Sequence, residues 1–189
     1  HETIRQWALK FGQEFANIIR RRLPRPDDKW HMDEVVLKIA GTKHYLWRAV
    51  DQHGVVMDVL VQRRRDKKAA KRLLRKLLKR QCRTPRVMIT DKLGSYGAAK
   101  KEIMPGVEHR QHKGLNNRAE NSHQPTRRRE RQMKRFKSAR QAQRFLSTHD
   151  QINNLFLPPH HLMPATNYRA ERTRAFQAWH DICGIEQAA

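Results

Sequence analysis

Acidic residues are scarce in this sequence: 18 Asp+Glu stand against 41 Lys+Arg, leaving a formal net charge of +23. That excess is larger than solubility requires, and it makes attraction to nucleic acid at low salt close to unavoidable. Cysteine is nearly absent too. Cys82 and Cys183 lie far apart with no CxxC pair, which argues against a disulfide scaffold or a thiolate zinc site and fits a reducing cytosol. No apolar run approaches the ~20 residues of a membrane span, and no signal-peptide pattern opens the chain. Hydrophobic residues make up 38% of the 189 residues. They cluster in periodic segments, so one ordinary domain is expected, with a small appendage at each end.

What is present begins with a helical pattern. Ile4, Trp7, Phe11, Phe15 and Ile18 recur at helical spacing over residues 2–20. The run Arg20-Arg21-Arg22-Leu23-Pro24-Arg25-Pro26 then reads as a basic linker. From Trp30 the pattern changes to strands. Val35–Ile39 ends at Gly41, His44–Val50 ends at Asp51-Gln52-His53-Gly54, and Val55–Val61 follows at once. Short glycine-bearing turns between such runs predict an antiparallel meander. Asp66 is placed to cap a helix carrying Ala70, Leu73, Leu74, Leu77 and Leu78 on one face. Val87–Ile89 reads as a short buried strand, followed by a helix from about Ser95 and a strand at Val107–Gln111. Residues 116–156 read as mainly helical, with Pro125 expected to kink or interrupt the helix, and a closing helix is expected around Ala170–Ile182. The order predicts an α/β fold: a mixed five-stranded sheet, its first three strands antiparallel, flanked by helices.

Against the scarcity of acids, three stand in distinctive local sequences: Trp30-His31-Met32-Asp33-Glu34, Ile89-Thr90-Asp91-Lys92 and Asn116-Asn117-Arg118-Ala119-Glu120-Asn121. Asp91 follows a strand, at the edge where open α/β sheets bind ligands. Two carboxylates at ~4 Å repel by roughly 4 kcal/mol at an effective dielectric near 20, so apposed acids call for cations. Carboxylates that bridge two hard cations about 3.5–4 Å apart are the ligands of two-metal phosphoryl transfer. The expectation is that Asp33, Asp91 and Glu120 converge within such reach. Glu34 competes with Asp33, and strand alternation would admit only one of the two.

At these residues the sequence resembles the bacterial DDE transposases of the insertion-sequence-six group, which form cointegrates. The resemblance also takes in Tyr45-Leu46-Trp47-Arg48-Ala49-Val50-Asp51, Arg65-Asp66 and the continuation Asn121-Ser122-His123. It implies a ribonuclease-H-like catalytic core with Asp33, Asp91 and Glu120 as catalytic acids binding two Mg²⁺ (or Mn²⁺) ions. The implied chemistry is DNA strand cleavage by an activated water, followed by transfer of the freed 3′-OH to target DNA. It further implies transposon-end and target DNA as partners, a homodimer or larger assembly on DNA, and a place in the bacterial cytoplasm at the nucleoid. Residues 1–22 resemble the last part of an N-terminal helix-turn-helix, so the chain is expected to be N-terminally truncated. Residues 23–29 would then be a linker, 30–157 the core and 158–189 a helical tail.

Other residues are weighed against simpler roles. Lys92, Asn117, Arg118 and His123 flank the acids and are candidates for DNA contact, the alternative being ordinary surface polarity. The run from Arg127 to Arg140 has eight basic residues and one acid. From it Arg127, Arg128, Arg129, Arg131, Lys134, Arg135 and Lys137 are expected to touch phosphates. Asp51 reads as a turn residue and Asp58 as an outward-facing strand residue. The pairs His109/His112 and His160/His161 lack a second ligand pair at zinc-finger spacing. Trp7, Phe11 and Phe15 are expected to pack on a neighbouring helix or to leave an exposed apolar patch. Two rival readings remain: a catalytically silent DNA-binding remnant, and a basic RNA-binding protein, which leaves the acid motifs unexplained.

Overall fold

β-Branched and aromatic runs separated by tight turns form the first three strands, β1 (Lys29–Ile39), β2 (Thr42–Asp51) and β3 (Val56–Gln62). The computed structural model describes residues 2–156 and 163–184. His160 and His161 lie outside the described residues. Beyond β3 come α2 (Lys67–Gln81), β4 (Val87–Thr90), α3 (Gly94–Ile103), β5 (Glu108–Gln111), α4 (Asn117–Gln132) and α5 (Ala139–Phe156). Before and after them stand α1 (Glu2–Arg22) and α6 (Ala165–Cys183). Among the described residues, no helix is long and apolar enough to cross a membrane.

The chain divides into two compact units, Arg25–Leu146 and His1–Pro24 with Ser147–Ala189. The larger unit holds the expected mixed five-stranded sheet, in the order β3-β2-β1-β4-β5. β1 pairs antiparallel with β2 and parallel with β4, so the strand order reverses beside β1. Alternation along β1 sends Trp30 and Met32 to one face and Leu37 and Ile39 to the other. On the first face α2 contributes Ala69, Ala70, Leu73, Leu74 and Leu77, and α3 contributes Tyr96 and Ala99. On the second, Ala119 of α4 and Ala142 and Leu146 of α5 cover Leu46, Val59 and Val61. Asp66 caps α2 as its sequence predicts, accepting the Ala69 N–H at 2.9 Å.

Asp58 does not face outward. It is buried, with Lys76 Nζ and Arg80 Nη1 each 2.8 Å from its carboxylate. The reason lies at the sheet margin: β3 is an edge strand, and α2 folds its cations over it. Lys76 donates to the Val59 carbonyl at 2.9 Å and Arg80 to that of Met57 at 3.3 Å. Gln143 donates to the Val59 carbonyl and accepts the Val61 N–H. These side chains occupy backbone groups that would otherwise stand open.

Of the two outcomes open at Pro125, the helix runs on: the proline sits inside α4. The long helical segment breaks at residues 133–138, where Lys134 and Arg135 take positive φ values of 52° and 75°. Pro125 removes one helical N–H and loosens the turn around it. There the fully buried Arg48 of β2 donates to the Ser122 carbonyl and, at 2.6 Å, to Thr126 Oγ1. A charged donor supplied from the sheet thus holds the weakened turn in place.

In the smaller unit, the Phe15 ring of α1 meets Trp179 of α6 edge-on, with centroids 6.0 Å apart. Phe156 contacts both Phe176 and Trp179. Phe11 stacks on Phe15, whereas Trp7 is 62% exposed. Phe15 therefore packs on a neighbouring helix, and Trp7 and Phe11 leave apolar surface open.

Replacing Arg48 by Met should cost about 2–4 kcal/mol of stability in urea denaturation, because two buried acceptors lose a charged donor. Amide exchange in α4 around residues 122–128 should accelerate more than exchange in α2. Equal acceleration in both helices would mean that Arg48 does not brace α4 in particular.

Candidate metal-binding site and nucleic-acid groove

Asp33 lies one residue beyond the last β1–β4 pair, Met32 with Thr90, and Asp91 directly follows that pair on β4. Both aspartates therefore project where the two parallel strands part, at the crevice formed by the reversal of strand order. Three carboxylates meet there. Oxygens of Asp33, Glu34 and Asp91 all lie within 4.8 Å of one another.

Glu34 joins a group from which alternation seemed to bar it. Asp33 points to the α4 side, where His123 Nε2 is 3.2 Å from its Oδ2. Glu34 points to the α2–α3 side, beside the buried Tyr96 and with Arg65 Nε donating to its Oε1 at 2.7 Å. Alternation holds, yet Asp91 stands past the end of its paired strand and is within reach of both faces. One Asp91 oxygen accepts the Leu93 N–H at 2.9 Å, so the aspartate does cap the next turn. Its other oxygen faces Arg65 Nη2 at 3.7 Å.

Electrostatics mark the same place. Burial, then the charge of Asp91, raises the Asp33 pKa to about 6. Burial raises that of Glu34 despite the opposing hydrogen bond from Arg65. Burial, reinforced by Glu34, pushes the Tyr96 phenol well above its ordinary value. Carboxylates crowded together and partly desolvated lack positive charge, and Arg65 supplies part of it. Hard anionic oxygens at this separation are the donor set of Mg²⁺ or Mn²⁺. The residues present therefore fit a divalent cation at Asp33 and Asp91.

Glu120 is not in this group. It sits in the first turn of α4, exposed, and lines an open groove with His123, Gln124, Arg127, Arg128 and Arg131. Adding its charge to three clustered carboxylates would cost roughly 4 kcal/mol per close pair. Beside the groove arginines it carries no such penalty. His123, three residues on, shares the groove and contacts Asp33, so the same face of α4 addresses both.

Of the residues expected at DNA, Lys92, Asn117, Arg128, Arg129, Arg131, Lys134, Arg135 and Lys137 are exposed. Arg118 is half-buried near His31, and Arg127 is ion-paired with Glu130 at 3.0 Å. His123 is placed differently from that expectation: it is 3% exposed and turned inward to Asp33. Asp51 is the turn residue it reads as, accepting the N–H groups of His53 and Val55.

Two residues to which the sequence reading gave no role help to build the site. Arg65 stood in the Arg65-Asp66 step that carries part of the resemblance, but nothing local shows that it reaches both Glu34 and Asp91. Asn116, fully buried, donates to the Met32 carbonyl at 2.9 Å. That bond ties the start of α4 to β1 next to Asp33. Its place in Asn116-Asn117 was visible, but its partner 84 positions away was not.

Known proteins share stretches of this sequence and its fold. The family model DDE_Tnp_IS240, a DDE domain, matches residues 27–157. The chain is 29% identical over 128 residues to the transposase for insertion sequence-like element IS431mec of Staphylococcus aureus, covering 65% of this chain and 57% of that protein. The same figures relate it to the Staphylococcus aureus transposase for insertion sequence element IS257 in transposon Tn4003. The chain thus spans little more than half the length of these relatives. Among solved structures, the HTLV-2 integrase catalytic core domain in complex with magnesium superposes with a TM-score of 0.52 at 16% identity, covering 77% of this chain and 94% of that one. That likeness shows the fold, the ribonuclease-H-like core of integrases. With the DDE model spanning the whole sheet and the crevice where Asp33 and Asp91 meet, the chain belongs to the DDE domain family.

Proposed function

We propose that the chain cuts and joins DNA at insertion-sequence ends, by divalent-metal-dependent strand cleavage followed by strand transfer. The observation that supports this best is the meeting of Asp33 and Asp91 at the β1–β4 crevice with oxygens within 4.8 Å. A divalent cation held there supplies charge neutralisation at the attacked phosphate and activation of the attacking oxygen. The two-ion form is part of the proposal, with Glu120 of α4 contributing to the second position.

The remaining chemistry falls to the chain's own groups. Arg65 engages Glu34 closely and Asp91 only at 3.7 Å, so Asp33 and Asp91 are the acids proposed to hold the cation. His123 orients Asp33, and Asn116 fixes α4 against β1. Arg128 and Arg131 line the groove beside Glu120, where a phosphate backbone is attracted by charge. Lys92, Asn117 and Arg118, adjacent in sequence to Asp91 and Glu120, are further candidates for phosphate contact. The partners are transposon-end and target DNA, and a homodimer or larger assembly brings two ends together. The setting is the bacterial cytoplasm, at the nucleoid.

Cleavage and strand transfer on transposon-end duplex with Mg²⁺ or Mn²⁺ test this directly. Asp91→Asn should lower the rate by about 10³-fold, equivalent to roughly 4 kcal/mol of lost transition-state stabilisation. Equal activity in the two proteins would overturn the catalytic reading. Binding of DNA and metal without turnover in either would favour a silent remnant. Glu120→Gln should also abolish turnover; if it does not, the exposed position of Glu120 is its working position.

Metal affinity should depend on pH with a definite sign. A proton on Asp33, with a pKa of about 6, competes with the cation. The thermal shift produced by Mn²⁺ should therefore shrink as pH falls from 7.5 to 5. Because the folded pKa is raised, the metal-free protein loses stability as pH rises from the unfolded value through about 6. Asp33→Asn should accordingly raise the melting temperature of the metal-free protein at pH 7 and have little effect at pH 4. A lower melting temperature at pH 7 would contradict the electrostatic cost assigned to Asp33.

A further inference from the structure

Helix α2 carries eight basic residues and no acid, and the structure sorts them into three groups. Lys67 and Lys71, on one flank, both pair with Glu102 of α3. Lys76 and Arg80, on the other flank, both pair with Asp58 of β3. The remaining four are Lys68, Arg72, Arg75 and Lys79, at positions i, i+4, i+7 and i+11. At about 100° per residue they fall within an arc of about 60°, opposite the buried leucines. All four are exposed. Among the described residues none of them forms an ion pair; Arg72 donates to the Gln62 side chain at 2.8 Å.

The outward stripe is thus the part of α2 whose charge the chain does not answer. The acids that α2 reaches, Asp58 and Glu102, are taken by the flanking cations. Like charges at i,i+4 destabilise a helix by about 0.2–0.5 kcal/mol a pair, and a merely soluble face would intersperse acids among them. A second copy of the chain would bring the same charge to the contact. A polyanion answers it. The stripe is about 16 Å long at 1.5 Å per residue, roughly half a turn of duplex DNA.

Its position adds a direction. Asp66, the cap of α2, follows Arg65, which faces Glu34 and Asp91. The stripe therefore starts about one helical turn from the acids and leads away from them. It does so on the Trp30–Met32 face of the sheet, whereas α4 and its arginines reach the acids from the Leu37–Ile39 face. Two basic tracks leave one acidic crevice on opposite faces.

We propose that Lys68, Arg72, Arg75 and Lys79 form a docking track for a second DNA duplex, held by its phosphates and separate from the DNA along α4. This rests on the reading that the crevice acts on DNA, since strand transfer brings two duplexes to one site.

Duplex binding by the full chain, measured without divalent metal by fluorescence anisotropy over a range of NaCl concentrations, tests the track. Each phosphate contact contributes about 0.9 to the slope of log affinity against log salt, so changing all four residues to Gln should reduce the slope by about 3–4. The effect should add to that of Arg128→Gln/Arg129→Gln/Arg131→Gln on α4, and Lys67→Gln/Lys71→Gln should leave the slope nearly unchanged. An unchanged slope in the four-residue variant, or no further loss when it is combined with the α4 changes, would overturn the proposal. So would an RNA duplex that depends on the stripe more strongly than DNA does. These outcomes do not depend on turnover. An inactive wild-type chain would count against the strand-transfer reading and leave the slopes to decide the track, while normal cleavage with unchanged slopes would remove the track alone.

Discussion

Repulsion among carboxylates is the constraint around which the larger unit is arranged. In a chain of net charge +23, three acids are gathered where β1 and β4 part, and two of them are buried. Such a cluster persists only if the surrounding structure over-determines it. The sheet register sets Asp33 beside Asp91, Arg65 returns from the far side of β3 to balance Glu34, and His123 closes on Asp33 from α4. Each contact comes from a different element, so the cluster exists only in the assembled fold. Stability is given up at the crevice and recovered in the two apolar layers around it.

α4 is the element on which function leans and also the one least able to stand alone. It is strongly polar, contains Pro125 and buries only Ala119, His123, Thr126 and Glu130. Propensity and hydrophobic burial would not keep it in register. Polar anchors do: Asn116 to the Met32 carbonyl at its start and Arg48 to Ser122 and Thr126 at the proline turn. Both anchors come from, or end on, the strands that bear or face Asp33. The groove arginines and the acids are thereby held to one backbone frame.

Much of this was legible in the sequence, for identifiable reasons. The strands, their antiparallel start and the capped α2 follow from alternation, turn chemistry and Asp66, which are local signals. Asp33 and Asp91 stood out through the words around them. What could not be read were properties of long-range pairing. Asp58 was misplaced because its burial depends on Lys76 and Arg80 from a later helix. Glu34 was discounted by a rule that holds within a strand and has no force past the end of its neighbour. His123 read as a candidate for DNA contact, and its turn inward to Asp33 was hidden because that partner lies 90 residues upstream in the sequence. Pro125 left a kink or an interruption open, and the bonds that Arg48, distant in sequence, makes to the turn around it could not be read.

The side chains that lie over β3 have a bearing on how copies of this chain can meet. With Lys76, Arg80 and Gln143 occupying backbone groups along that margin, the sheet keeps one open border, β5, four residues long and carrying Glu108 and Arg110. A short charged border is a poor template for strand addition. Growth of the sheet from molecule to molecule is thus disfavoured at both margins.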